Sequence, residues 1–352
     1  MMNARSAIAR HNTARHARHE EREATKGSTT TLRAAEGGME RATGMRRPAA
    51  LAAILFTTVV WGLSFISTKT ALVAGLTPVQ IAFARFSVAS ALFIALRAAP
   101  FLRARERAPR GRRARPGPGA SGGLRVLIGG ILGVPVYFML ENSGLRLTSA
   151  STASLITGTA PVINALAVVT LLRGTVTSSQ WAGIAMSCAG VYAIAHADLT
   201  SALSGQATLG NTLIFLSACA WVAYTMINKP LLSYYDNLTL NTWQTLAGTL
   251  FLLPFALHDG LPIATWSLEI WLNILYLGAI CSALAYVFYL FALDQLGSTA
   301  VTSCLNLVPV FGVLGGALLL GEPLSWTKAL GGALALAGAY LVTVGNGPAR
   351  RS

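Results

Sequence analysis

At 352 residues, 53% hydrophobic and 11% charged, with a mean hydropathy of +0.56, the chain is too apolar for a soluble fold whose surface meets water. A net charge of +14 would suit nucleic acid, but the basic residues sit in tails and one loop rather than over a folded face, which excludes that partner. The solvent for most of this chain is lipid.

Residues 1–47 mix Arg, Glu, His, Thr and Gly without apolar periodicity. They cannot bury enough surface to order themselves, so a disordered basic tail is expected. Met45, directly before Arg46-Arg47, is a candidate start of the functional chain. Apolar stretches then follow at 51–73, 77–96, 124–142, 149–172, 180–197, 208–228, 238–257, 267–291, 299–320 and 326–345. Each approaches the ~20 residues that a helix needs to cross hydrocarbon. Open strands could not satisfy their backbone there, so an all-α integral membrane fold of ten transmembrane helices is expected.

Ten Lys or Arg precede residue 48, nine lie from Arg97 to Arg125, and Arg350 and Arg351 close the chain. Ten crossings place all three groups on one side, and the positive-inside rule makes that side the cytoplasm. The expected location is therefore the plasma membrane, multi-pass, with both termini cytoplasmic. The segment 98–123 sets arginines among Pro109, Pro116, Pro118 and several glycines, a flexible loop expected near anionic lipid headgroups. Cys188, Cys219, Cys281 and Cys304 lie within apolar stretches without ligand-like spacing. No disulfide, metal or cofactor is expected.

The stretch carrying Pro161, Gly183, Gly190 and Tyr192 returns 148 residues later as Pro309, Gly331, Gly338 and Tyr340. In the first helix the offset is 160: Trp61 falls on Trp221 and Lys69 on Lys229, each Trp followed by seven residues and then the Lys. Helices one to five thus pair with six to ten, giving repeats at 48–198 and 207–345 and a closing tail at 346–352. An odd number of crossings per copy inverts the second copy relative to the first.

With Trp61-Gly62-Leu63-Ser64-Phe65 running on to Lys69, the Pro161 and Pro309 helices and the Gly321-Glu322 turn in this order, the chain resembles the EamA-like branch of the drug/metabolite transporter superfamily across residues 50–345. The resemblance implies two inverted five-helix repeats around a central cavity, and efflux or sometimes uptake of small metabolites. The two copies differ where Arg173-Gly174 stands in place of Gly321-Glu322, and where Val222 rather than Gly follows Trp221.

Ionisable groups inside membrane helices are costly and usually face the bundle interior or water. Arg85, flanked by Phe83 and Phe86, is a candidate anion anchor or one half of a structural ion pair. Glu141 is either its partner, or that of Lys69, or a protonatable group that couples proton movement to transport. Lys69 and Lys229 end matched helices and read either as stems that lift their ammonium to the headgroups or as gate charges. Asn164, Tyr224, Asn228, Gln244, Tyr286 and Asn306 are polar groups at helix depth that either bond between helices or line a pathway. Trp61 and Trp221 are open between core packing and an aromatic wall. Pro161 and Pro309, with Gly158 and Gly312 nearby, are helix-break positions that point to the binding level. Gly129 to Gly133 and Gly312 to Gly316 follow the small-xxx-small spacing of close helix packing.

The sequence holds no GxxxxGK[ST] loop, so ATP is not the driver and a secondary carrier is expected. The leading reading is export of an amino acid or related carboxylate by alternating access. Uptake, a nucleotide-sugar-type carrier, or a lipid-handling or channel-like protein are the alternatives. An enzyme is not expected, because no nucleophile–base pair, metal cluster or paired aspartates occur at helix depth. The expected partners are a small-molecule substrate and the bilayer, and a homodimer is compatible with the sequence.

Overall fold

Each apolar stretch predicted to cross the bilayer is helical where the computed structural model describes it, at residues 47–98, 119–172, 177–195, 205–231 and 234–344, and those residues contain no strand. The expectations for the basic tail, for most of the 98–123 loop, for Arg173-Gly174 and for the closing tail fall outside these residues. The chain divides into two compact units, Met1–Leu51 and Ala52–Ser352. The described part of the first is one helical turn, and the architecture below is that of the second.

In chain order the helices are α1 (Arg47–Val73), α2 (Pro78–Ala98), α3 (Gly119–Ile131), α4 (Tyr137–Leu147), α5 (Ala150–Thr157), α6 (Ala160–Leu172), α7 (Ser178–Ala195), α8 (Gln206–Leu231), α9 (Asn237–Asp259), α10 (Leu268–Leu275), α11 (Ala285–Leu305), α12 (Val308–Leu319) and α13 (Trp326–Val344). Two π-helical segments join α3 to α4, at Leu132–Val136, and α10 to α11, at Tyr276–Leu284. Five runs, Arg47–Val73, Pro78–Ala98, Gly122–Leu147, Gln206–Leu231 and Leu268–Tyr289, are long and apolar enough to cross a bilayer. Large apolar side chains such as Leu250, Phe255, Leu318, Trp326 and Leu330 stand exposed, as hydrocarbon permits.

Helix breaks recur at matched places. Gly158-Thr159 separates α5 from α6 and Asn306-Leu307 separates α11 from α12, with Pro161 and Pro309 in the first turn of the following segment, where a missing N–H costs nothing. The breaks pack on each other, since a Cβ on Gly158 would collide with the Pro309 ring. At the preceding turn the copies diverge. Ser149 caps α5 by accepting from the Thr152 N–H, whereas Gly297, 148 residues on, has no acceptor to compete with the backbone. The helical run is unbroken from Leu268 to Leu305, although the eighth and ninth stretches were expected to be separate.

The inversion of the copies can be traced through contacts. The ammonium of Lys69, near the end of α1, donates to the carbonyls of Leu145 and Thr148 at the end of α4, both at 2.8 Å. A Cβ on Gly144 at that same end would lie 2.7 Å from the Gly210 carbonyl, near the start of α8. Helix α1 therefore finishes where its counterpart α8 begins. The seam between α7 and α13 says the same: a Cβ on Gly183 would stand 2.7 Å from the Gly338 carbonyl and one on Gly190 2.5 Å from that of Gly331, with the reverse contacts also present. Because Gly183 corresponds to Gly331 and Gly190 to Gly338, this seam is self-matching and antiparallel, as an in-plane pseudo-two-fold requires. The α7–α13 glycines let backbones touch, the close approach that apolar solvent favours.

Candidate functional site

The two π-helical segments occupy equivalent places in the copies, Leu132–Val136 against the second half of Tyr276–Leu284 at the offset of 148. Such segments widen a helix and leave carbonyls free, a feature common at functional sites. Here Trp61 uses one of them: its indole N–H donates to the Cys281 carbonyl at 2.9 Å. The Trp61 ring packs against Tyr286 and Tyr289, with centroids 5.4 and 5.7 Å away. Across the pseudo-two-fold, Trp221 packs against Tyr137 at 5.4 Å and Tyr224 at 5.3 Å. Each tryptophan thus packs on a tyrosine of the other copy, Trp61 on Tyr286 and Tyr289 and Trp221 on Tyr137, with Tyr224 of its own helix extending the second wall.

A narrow pocket, with room for little more than a water, lies between these walls. Phe86, Gly133, Tyr224, Gln244, Ser282 and Tyr286 are among the residues that line it. Its place follows from the helices: Gly129, in the first third of the run Gly122–Leu147, and Asn241 and Gln244, early in α9, also line it, whereas Lys69, Leu145 and Gly210 mark the far end. Gly133 is required here, because a Cβ would meet the Tyr224 ring at 2.6 Å.

Arg85 stands beside this pocket, only 4% exposed. Its Nε donates to the Ser282 hydroxyl at 2.7 Å, and its guanidinium carbon lies 4.4 Å from the Phe138 ring and 5.5 Å from that of Phe86. A buried cation is thus stabilised by a neutral hydroxyl and by π faces. Glu141, 6% exposed, accepts from the Tyr137 hydroxyl at 2.7 Å and feels the charge of Arg85. The expected pairing of Glu141 with Arg85 or Lys69 is replaced by separate partners for all three. Lys69 does not reach for headgroups either: its ammonium is used by the carbonyls that end α4, where a cation also complements the helix dipole.

Arg85 has a counterpart of different chemistry. A Cβ on Gly278 would lie 2.7 Å from the Arg85 carbonyl, and one on Gly130, 148 residues earlier, 2.7 Å from that of Gln244. Arg85 and Gln244 therefore hold equivalent positions, one a cation and the other an amide. Gln244 is buried and pairs reciprocally with Asn228, donating to its Oδ1 at 2.7 Å and accepting from its Nδ2 at 3.3 Å.

Of the sequence candidates, Arg85, Glu141, Trp61, Trp221, Tyr224, Asn228, Gln244 and Tyr286 are gathered around the pocket and its walls. Asn306 is buried at the break before α12. Asn164, on α6, and Lys229 are exposed and are not brought to the pocket. Ser282, Tyr137 and Phe138 had passed unremarked, since a serine or aromatic inside an apolar run carries no periodic signal. In the sequence Glu322 reads only as a turn residue. Its carboxylate in fact accepts from the Ala150 N–H at 2.7 Å, the Ser151 N–H at 2.9 Å and the Ser151 hydroxyl at 2.6 Å.

Comparison with known proteins agrees with this architecture. The profile of the EamA-like transporter family matches residues 48–195 and 208–344. An uncharacterized transporter of Archaeoglobus fulgidus is 32% identical over 292 residues, 82% of this chain and 96% of that protein. A probable terminal-alkyne amino-acid exporter of Streptantibioticus cattleyicolor is 31% identical over 306 residues, 85% and 94% of the two chains. A crystal structure 18% identical in sequence superposes with a TM-score of 0.57 over 87% of this chain and 100% of that one, a likeness of fold.

Proposed function

Because the chain belongs to the EamA-like transporter family, and so is a multi-pass membrane protein, we propose that it is a secondary carrier that exports an amino acid or related carboxylate. The observation that carries this reading is Arg85, a buried guanidinium whose recorded hydrogen bond goes to a neutral hydroxyl. Its planar fork suits the two oxygens of a carboxylate, and the aromatic walls of Trp61, Tyr286, Trp221 and Tyr224 suit an apolar side chain. The amino-acid exporter among the relatives supports the same substrate class.

The pocket is too narrow for such a substrate as it stands, which favours alternating access: the copies rock about the pseudo-two-fold and admit substrate from one end at a time. The arginine-rich tails and loop support a cytoplasmic side for the end at which α1 begins and for both termini, in the plasma membrane. The lipid contacts of the 98–123 loop and a homodimer belong to this reading as well.

Proteoliposomes preloaded with single amino acids, organic acids or neutral sugars, with pH or sodium gradients imposed, test it by counterflow. Amino acids or carboxylates should be carried, and Arg85→Ala should lower their flux at least about tenfold while sparing neutral solutes. Equal loss for charged and neutral solutes would remove the anchor role, and flux of sugars alone would sink the substrate class.

A further inference from the structure

At the Lys69 end of the bundle, one turn receives side chains from both copies. The junction between α4 and α5, residues 145–151, belongs to the first repeat. Lys69 holds its carbonyls at Leu145 and Thr148, and Glu322, from the second repeat, holds its N–H groups at Ala150 and Ser151 together with the Ser151 hydroxyl. Both charged groups thus complement the helix terminus that they meet, and Lys69 feels the charge of Glu322. Two glycines make this possible. Gly321 takes a φ of +64°, turning the chain so that Glu322 points back, and a Cβ on Gly316 would stand 2.6 Å from the Glu322 carboxylate. The Thr148 hydroxyl further ties the junction to Asn211 of α8 at 2.8 Å.

Among the described residues the arrangement is found at this end. At the offset of 148 the residue matching Glu322 is Gly174, and Lys229, which matches Lys69, is exposed. A fold whose copies match in helix packing has placed the Glu322 carboxylate, which bonds across the copies, on the Lys69 side of the pocket.

We propose that Glu322 is the positioning residue that latches the Lys69 end of the transport path, its carboxylate leaving Ala150 and Ser151 each time that end opens. This rests on the carrier reading, but its test needs no substrate. Ser154, fully buried one turn beyond Ser151, faces Gly312 of α12 and becomes reachable only when α5 and α12 part. Thr242, 5% exposed near the start of α9, reports on the opposite end.

The experiment measures the rate at which a charged maleimide labels a single cysteine, Ser154→Cys or Thr242→Cys, in an otherwise cysteine-free full chain held in lipid nanodiscs. Glu322→Gln should raise labelling at position 154 by about tenfold and Ser151→Ala by about threefold, the weights of charged and neutral hydrogen bonds, while labelling at 242 stays level or falls. Gly316→Ala, which keeps the charge but displaces the carboxylate, should act like Glu322→Gln. Unchanged labelling at 154 in both Glu322→Gln and Gly316→Ala overturns the proposal. So does an equal rise at 154 and 242, which would mean general loosening. Loss of the latch with amino-acid flux absent would leave the gate standing and remove the substrate assignment, and the converse would do the reverse.

Discussion

Lys69 and Lys229 show how far a single residue's role depends on its neighbours. Both follow a tryptophan by the same interval, yet Lys69 supplies two hydrogen bonds to the carbonyls that end α4, and Lys229 lies exposed. Replacing Lys69 with Met should orphan those acceptors and cost about 1–3 kcal/mol of stability, whereas Lys69→Arg, which keeps donors in place, should cost less. Lys229→Met should be close to neutral. Thermal melting of the purified variants in one detergent checks all three, and equal melting of the two Met variants would refute the structural role of Lys69. Arg85 was legible as a cation in an apolar helix, but Ser282 and Phe138, which make its burial tolerable, were not, because they come from segments far along the chain.

At the scale of elements, the self-matching seam between α7 and α13 rests on four glycines with no room for a side chain. Leu in place of Gly183 or Gly190 would meet backbone rather than a movable side chain and should destabilise the bundle by about 1–3 kcal/mol or more, lowering both melting temperature and yield. Gly123→Ala, where a Cβ would touch nothing within 4 Å, should leave melting unchanged or raise it slightly, alanine being the better helix former. A tolerated leucine at both seam positions would contradict the packing. The spacing of these glycines was visible as a repeat, and their mutual contact was not. Pro135 marks the first π-helical segment in the sequence, whereas the second, which accepts from the Trp61 indole at Cys281, carries no such local mark.

For the whole molecule, the inverted architecture predicts that reporters fused near residue 110 and near residue 202 fall on opposite sides of the membrane, the first in the cytoplasm. A phosphatase active only outside and a fluorescent protein bright only inside would read this, and matching locations would contradict ten crossings. Apolar run lengths, the offset of 148 and the odd number of crossings per copy determined by themselves that this is a duplicated, inverted helical membrane protein, because the bilayer leaves a chain of that composition few other ways to satisfy its backbone. The tertiary structure alone decided which polar groups meet. It gave Glu141, open between an ion pair and a protonatable carboxylate, a hydrogen bond from Tyr137, set Arg85 opposite Gln244, and carried Glu322 across to the other copy. The Tyr137–Glu141 bond is a local i,i+4 pair on one helix, but the placements of Arg85 and Glu322 depend on helix rotation and on contacts between residues more than a hundred positions apart, about which local sequence holds no information.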